Sequence, residues 1–377
     1  MIIHKIHLTI SDRLLAIFLT TFIITRIVAM PVLIANMLPA MCGLFSLLYL
    51  CVRKVKHVQT AIFISIILSV FMLLSMLMNR NCNFLDIIWI WSFMGIAMLL
   101  YSFEINSQFI MFQYCCFVAY IIFKIVSGVS YKSIILVGSE NNISVYLLLY
   151  IALYLITCDN GKKLHNIVFL PVLLGLVCTV WSASRSGVLS FVLLSVLLIA
   201  YNMKKNGKKI KYIMLTAISM LVLYFIIDNF FASTFMNLQN KINNYGNSSL
   251  RTVIWNEYIH SATSSLYDFI FGPNTVKTGY KWLSYYGGNT HNAFLMLHSH
   301  FGIIVFAYIL IALFVCIGKL YKNGRMLSAI AIGVLCVRSM FDWTSFPGVY
   351  DIVFYLAIMI FVTRKRYFSL RRNKEYV

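Results

Sequence analysis

The sequence predicts an all-α integral membrane protein of about twelve transmembrane helices with one long external loop. Of the 377 residues, 61% are hydrophobic and only 11% are charged, whereas soluble domains carry about 25% charged residues. So few polar residues cannot cover the surface of soluble domains of this size, which places the chain in a bilayer. We expect residues 1–377 to form a single polytopic membrane domain.

Twelve apolar stretches predict the individual helices. Each is close to the length of about 20 residues that crosses the hydrocarbon core of a membrane. The first stretch should be a retained helix rather than a signal peptide, because no small-residue cleavage site follows it. The predicted spans cover residues 14–30, 34–52, 60–78, 85–103, 108–126, 143–158, 165–183, 187–203, 212–230, 292–316, 326–345 and 350–363.

Basic residues orient these spans. The net charge of +20 is concentrated in short runs between apolar stretches, at residues 53–56, 162–163, 204–211, 319–325 and 364–374. Twelve spans with a cytoplasmic N-terminus put all of these runs in the cytoplasm, as the positive-inside rule requires. A nucleic-acid-binding protein would gather its basic residues on one soluble face among aromatic side chains. We therefore expect both termini in the cytoplasm and no nucleic-acid partner.

One external loop is much longer than the others. Residues 231–291 separate predicted helices nine and ten and are rich in Asn, Ser, Tyr and Trp. Ser248 or Ser249 could cap a helix that runs through Trp255 and ends before Gly272. Loops of this length in a compact architecture are usually functional or disordered.

The sequence contains no motif for a metal or a nucleotide cofactor. There is no P-loop, no His-Glu-x-x-His and no Asp-x-Asp sequence. Eight of the nine cysteines fall within or beside predicted helices, only Cys82 lies in an external loop, and no Cys-x-x-Cys occurs. The cysteines are therefore expected to be packing residues, without disulfides or a metal site.

Arg185 is the strongest candidate for a functional charge. It lies in the tight turn between predicted helices seven and eight, at the external mouth of the bundle, where an ionisable group is costly and marks function. Between Ser184 and Ser186, its guanidinium suits bidentate binding of phosphate oxygens. The alternative is an arginine that snorkels at a helix end, but an external position runs against the positive-inside bias.

Two further candidates lie in the long loop. Arg251 and Trp255 share one face of the predicted loop helix at i and i+4; the alternative is a cation on a solvated amphipathic helix. His291 follows two glycines at the entrance to helix ten, where it could act as a general base. Asn292 could help to orient it by hydrogen bonding. The alternative is a structural histidine.

Other residues could take the role of the base. His298 and His300 follow on the same predicted helix, although both should lie deeper in the membrane. Glu257, in the long loop, is the next candidate after His291.

Three segments together resemble the bacterial O-antigen ligase/polymerase superfamily of multispanning glycosyltransferases. That family has a Ser-Arg-small-Gly turn between two helices, an Arg-x-x-x-Trp helix in a long periplasmic loop and a His-Asn-x-Phe/Leu entrance to the next helix. The order, spacing and placement of these motifs match residues 184–187, 251–255 and 291–294. The resemblance extends over roughly residues 145–363.

The resemblance implies a GT-C-like, metal-independent transferase without a cofactor. It would act on undecaprenyl-diphosphate-linked oligosaccharides at the periplasmic face of the bacterial inner membrane. Arg185 and Arg251 would bind the donor diphosphate, and His291 would accept the proton of the acceptor hydroxyl, supported by Asn292 and Trp255. The compact length and residues 341–347 are more similar to an O-antigen polymerase, with a chain-length regulator and a flippase as further partners.

Three alternatives remain at this point. An O-antigen ligase would transfer the finished glycan to lipid A–core. A flippase for lipid-linked oligosaccharides would be expected to have two similar halves and short loops, which this chain does not show. A membrane channel or scaffold would not require two arginines and a histidine at one membrane face. Convergence of Arg185, Arg251 and His291 would favour a transferase.

Overall fold

The computed structural model describes residues 8–78, 83–139, 141–159, 169–206, 250–276 and 279–363. The secondary structure in these ranges is helical, and they contain no β-strand. A short 3-10 turn covers Tyr131–Ser133. The helices are α1 Ile10–Ile27, α2 Val32–Val52, α3 Val58–Met78, α4 Phe84–Ser102, α5 Ser107–Val126, α6 Asn142–Cys158, α7 Phe169–Trp181, α8 Arg185–Asn206, α9 Leu250–Ala262, α10 Leu266–Phe271, α11 Lys281–Tyr285, α12 Ala293–Lys322, α13 Met326–Ser339 and α14 Asp351–Thr363.

Ten of these helices have the composition of membrane segments. In the described ranges, α2, α3, α4, α5, α8 and α12 are long and apolar enough to cross a membrane, and α6, α7, α13 and α14 are shorter apolar helices. With α1, these helices overlap every predicted span except residues 212–230, which lie outside the described residues. The chain is therefore a multi-pass membrane protein.

Local capping moves two of the predicted boundaries. Helix α1 begins at Ile10, earlier than predicted, because Thr9 and Asp12 form a capping box in which each side chain accepts the other's backbone N–H. The predicted span 326–345 is wrong at its end, since α13 stops at Ser339. Asp351 accepts backbone N–H groups of Phe346 and Gly348, which holds the preceding segment as a loop.

The two central helices are apolar on all sides. Almost every residue of α6 and α14 is buried, as expected of helices that lack a polar face. In helices α2, α3 and α5 about two thirds of the residues are at least partly exposed, which suits contact with lipid. The interior helices therefore provide a rigid frame for the polar residues at their ends.

Contacts between helix ends define a site end of the bundle. Ser144, at the start of α6, has its Oγ 3.0 Å from Oγ of Ser184 in the α7–α8 turn. The same Oγ accepts a hydrogen bond from Arg338 Nη2, at the end of α13, over 3.4 Å. Three elements from distant parts of the chain thus meet here.

The opposite end of these helices is the far end. Asp159, after α6, accepts the backbone N–H of Ser328 in the first turn of α13, at 2.9 Å. Near the end of α8, Lys204 Nζ lies 5.7 Å from the ring centre of Tyr321 in the last turn of α12. Helix α8 therefore begins at the site end and finishes at the far end.

Helix α12 is interrupted at Gly302, whose φ of 74° and ψ of 177° are not helical. A Cβ on Gly302 would collide with the carbonyl oxygen of Ile270 in α10. His298 Nε2 donates to the carbonyl of Phe269 at 2.8 Å, also in α10. Helix α10 therefore packs directly against the first part of α12.

Candidate functional site

A three-residue turn places Arg185 at the site end. Helix α7 ends at Trp181 and α8 begins at Arg185. Ala183 adopts a left-handed φ of 51°, an uncommon conformation for a residue with a side chain, and this allows the chain to reverse. Ser182 and Ser184 are fully buried on either side of it. Arg185 is half-buried at the first position of α8, where the sequence predicted it.

Gly187 explains how closely α8 approaches α6. A Cβ on Gly187 would lie 2.5 Å from Cβ of Ser144 and 2.6 Å from Cγ2 of Thr179. Real Cβ contacts are not this short, so a larger residue would separate the two helices. The glycine of the Ser-Arg-Ser-Gly turn thus permits the Ser144–Ser184 contact.

Helix α9 carries Arg251 and Trp255 on one face, as predicted. Trp255 Nε1 donates to the carbonyl of Thr290 at 2.9 Å, which fixes α9 against the segment before α12. Burial lowers the pKa of Arg251, the nearby Asp342 opposes this, and the charges of Arg338 and Arg185 lower it further. These electrostatic neighbours show that Arg251 lies in the same cluster as Arg185.

His291 lies at the mouth of the bundle with its backbone in the left-handed region, at φ 51°. Its N–H donates to Oδ1 of Asn289 at 2.8 Å, and its ring meets the ring of Tyr286 edge-on at 5.1 Å. Nδ1 lies 3.9 Å from Oδ1 of Asp342, and a quarter of the side chain is exposed. The histidine is therefore both held and accessible.

Asn292 fixes the start of α12 immediately after His291. Its Oδ1 accepts the N–H groups of Phe294 at 2.9 Å and Leu295 at 3.2 Å. This is an N-cap, in which a side-chain oxygen satisfies the first helical donors. The described side-chain hydrogen bonds of Asn292 therefore go to the backbone of α12 and not to His291, and its predicted role in orienting His291 stays a prediction.

The structure adds Arg338 and Asp342, which the sequence analysis did not single out as site residues. Arg338 is fully buried in the last turn of α13, and its Nη2 donates to Oδ2 of Asp342 at 3.2 Å. The available signal was an arginine in an apolar helix followed by an acid at i+4. Asp342 links this arginine to His291.

The electrostatic surroundings keep Asp342 ionised. Burial alone raises the pKa of this carboxyl, but the neighbouring His291 and the charges of Arg338 and Arg251 outweigh burial and lower the pKa to about 2. At neutral pH the site therefore contains a carboxylate that faces His291, Arg338 and Arg251.

The other candidate bases have structural partners. His298 is buried; its Nε2 donates to Phe269, and its Nδ1 accepts from the hydroxyl of Tyr258 at 2.7 Å. His300 is buried with Nδ1 donating to the carbonyl of Phe346 at 2.9 Å. Glu257 accepts the N–H of Leu283 at 2.8 Å at the start of α11. All three hold the loop helices or α12 in place.

Metal-binding geometry is not found in the described part of the chain. No three His, Cys, Asp or Glu side chains of the described residues come together to hold an ion. The eight cysteines in these ranges are free thiols.

Comparison with known proteins finds a family model for the segment that carries Arg185, Arg251 and His291. Residues 170–310 match the family model described as O-antigen ligase. The match includes Arg185, Arg251 and His291, and it supports a membrane enzyme of the glycosyltransferase type. Neither the curated proteins nor the solved structures contain a match. The resemblance to the O-antigen ligase/polymerase superfamily is thereby confirmed, on the segment from α7 into α12.

Proposed function

We propose that the protein is a polymerase of O antigen or of a related surface polysaccharide. It joins undecaprenyl-diphosphate-linked repeat units at the periplasmic face of the bacterial inner membrane. The observation that carries this proposal is the cluster of Arg185, Arg251, His291, Arg338 and Asp342 at the site end of the bundle. The alternative function is an O-antigen ligase, which uses the same donor chemistry with lipid A–core as the acceptor.

The charges of the cluster suit a diphosphate. With His291 neutral, three arginines and one aspartate give these residues a net charge of +2, and each phosphate of a lipid-linked donor carries one negative charge. Guanidinium groups bind phosphate oxygens through two parallel hydrogen bonds. Preorganised arginines can therefore stabilise the leaving diphosphate without a metal ion.

The proposed reaction is an in-line displacement at the anomeric carbon of the donor sugar. The acceptor sugar hydroxyl gives its proton to His291 as its oxygen forms a bond with the anomeric carbon of the donor. The bond between that carbon and the diphosphate oxygen breaks, and undecaprenyl diphosphate leaves with the electron pair. Arg185 and Arg251 offset the charge that develops on the diphosphate. The carboxylate of Asp342 stabilises the imidazolium, and attack in line inverts the anomeric centre.

Twelve spans with both termini in the cytoplasm fit this reaction. Asp12, at the start of α1, accepts the N–H of Asn106 at the start of α5 over 2.7 Å. Tyr101, at the end of α4, donates to Thr363 at the end of α14 over 2.9 Å. Helix α1 thus begins, and α14 ends, at the far end. Helix α8 ends there as well and α9 lies at the site end; the predicted ninth span, residues 212–230, lies outside the described residues.

Gene deletion followed by lipopolysaccharide electrophoresis tests the proposal. A polymerase deletion should leave lipid A–core capped with one repeat unit, and the wild-type gene should restore the polymer ladder. Bare core with accumulated lipid-linked polymer would instead identify a ligase. An unchanged ladder would contradict both functions. Lipid-linked repeat units, a flippase that delivers them and a chain-length regulator are the partners in this scheme.

A further inference from the structure

Arg338 is fully buried, although two of its three guanidinium nitrogens have no described hydrogen-bond partner. None of its surface is exposed, and Nη2 makes both of its described hydrogen bonds, to Asp342 and Ser144. Nε and Nη1 are buried without a hydrogen-bond partner among the described residues. Burying a guanidinium with unpaired donors destabilises a protein. An arginine that is buried at such a cost in stability is a candidate for a functional role.

We propose that Arg338 is a positioning residue. It fixes the position of His291, the proposed base, relative to Arg185, which belongs to the proposed phosphate site. The inference rests on the proposed function. On one side, Arg338 bonds to Asp342, which faces His291. On the other side, it bonds to Ser144, which contacts Ser184 beside Arg185. Arg338 is thus the side chain that connects the two halves of the site.

Arg338 also fixes the charge of Asp342. The groups that face this carboxylate are His291 before α12, Arg251 from α9, Arg338 from α13 and Tyr350 before α14. Without Arg338, the buried carboxylate would take up a proton more readily or draw Arg251 away from the donor diphosphate. Either change would impair transfer, although Arg338 itself need not touch the substrate.

The test compares Arg338→Gln, Arg338→Lys, Asp342→Asn and the Arg338→Gln/Asp342→Asn double variant. Each is purified in detergent and first checked for a monodisperse size-exclusion profile. Transfer rates are then measured from pH 5 to 9 with lipid-linked repeat units extracted from the deletion strain. Arg26 provides a matched control: it is buried at the end of α1 and bonds to Asn36 at 2.8 Å rather than to a carboxylate.

Arg338→Gln should lower the transfer rate at least tenfold. Because Asp342 then takes up a proton more readily, the acid-side midpoint of the pH profile should move upward by more than one unit. Arg338→Lys keeps the charge and should leave that midpoint in place. Because Arg338 acts through Asp342, the transfer rate of the double variant should be within threefold of the rate of Asp342→Asn alone. It also removes both buried charges, so it should fold even if one of the single variants does not.

A purely structural role would give different results. Arg338→Gln would then resemble Arg26→Gln, lowering the rate by one factor at every pH, and the losses of the two single variants would multiply in the double variant. Either result would overturn the positioning role. Full activity of His291→Ala would instead contradict the base assigned in the proposed function, so the two failures can be told apart.

Discussion

His291 Nδ1 lies 3.9 Å from Asp342 Oδ1, so the loop before α12 and the loop after α13 meet through these two side chains. At 3.9 Å the two groups interact through charge rather than through a hydrogen bond. A carboxylate in this position favours a hydrogen on Nδ1, which leaves Nε2 as the basic nitrogen. Arg338 engages the other carboxylate oxygen at 3.2 Å. A histidine next to an ionised acid is an arrangement that suits general-base catalysis.

His291→Ala should lower the transfer rate by about 10²–10⁴-fold, the usual contribution of a general base. Donor binding should be kept, because the arginines remain. The measurement is the rate with purified enzyme and lipid-linked repeat units. His260→Ala is the control, since His260 is an exposed histidine of α9. His298→Ala and His300→Ala belong in the same assay, and a near-normal rate for His291→Ala would place the base elsewhere, with Glu257 tested next.

Arg185→Lys and Arg251→Lys should each lose at least tenfold in activity while inserting normally into the membrane. A lysine ammonium is a point charge and cannot form the two parallel hydrogen bonds of a guanidinium with phosphate. The polymer ladder and the amount of membrane-inserted protein are measured together. Arg53→Lys, between α2 and α3, is the control. Wild-type ladders from both site variants would show that these arginines only anchor the chain.

Asp342 should contribute to stability in a defined pH range. Its pKa is lowered from 3.8 to about 2 in the folded protein, so its stabilisation is complete above pH 4 and is lost as the pH falls toward 2. Such a shift corresponds to roughly 2 kcal/mol. The Tm difference between wild type and Asp342→Asn should not shrink between pH 8 and 5 and should shrink below pH 4. A difference that already shrinks at pH 6 would be incompatible with a lowered pKa.

Gly187→Ala should reduce both activity and thermal stability. The added Cβ would meet Ser144 and Thr179 at 2.5–2.6 Å, which forces α8 away from α6 and moves Arg185. Gly333→Ala in α13 is the matched control, because its Cβ would have no described neighbour within 4 Å and alanine favours a helix by about 1 kcal/mol. Equal effects of the two variants would contradict the packing argument.

The sidedness of the bundle is tested with reporter fusions. Fusions after residues 209 and 374 should be cytoplasmic, and a fusion within 231–290 should be periplasmic. A periplasmic C-terminus would contradict the twelve-span topology. The expected result follows from the basic runs of the sequence and from the shared location of the start of α1 and the end of α14.

Apolar length and local motifs predicted most of the described helices and the positions of Arg185 and His291. Both properties can be read from neighbouring residues: hydrophobic runs define spans, and a three-residue turn places its arginine at a helix start. The boundary of α1 shifted because a capping box is a side-chain geometry. The end of α13 shifted because the Asp351 carboxylate stabilises a loop in a stretch that is still apolar.

The part of the site that the sequence did not predict depends on packing between distant segments. Ser144 and Ser184 lie 40 residues apart, and their contact depends on how α6 and α8 pack. Arg338 and Asp342 are close in sequence, but only the tertiary structure shows that the pair faces His291. His298 and Glu257 have structural roles because they form hydrogen bonds with Tyr258 and Leu283. No local sequence pattern specifies where these two partners lie.

The interruption of α12 at Gly302 has a mechanical consequence. Helical hydrogen bonding is what makes a helix stiff, and it is broken at this residue. The segment between Asn292 and Gly302 is bonded to α10 through His298, to α3 through the carbonyl of Ser299 and to Phe346 through His300. We therefore expect this segment, which begins next to His291, to adjust its position without bending the part of α12 that follows Gly302.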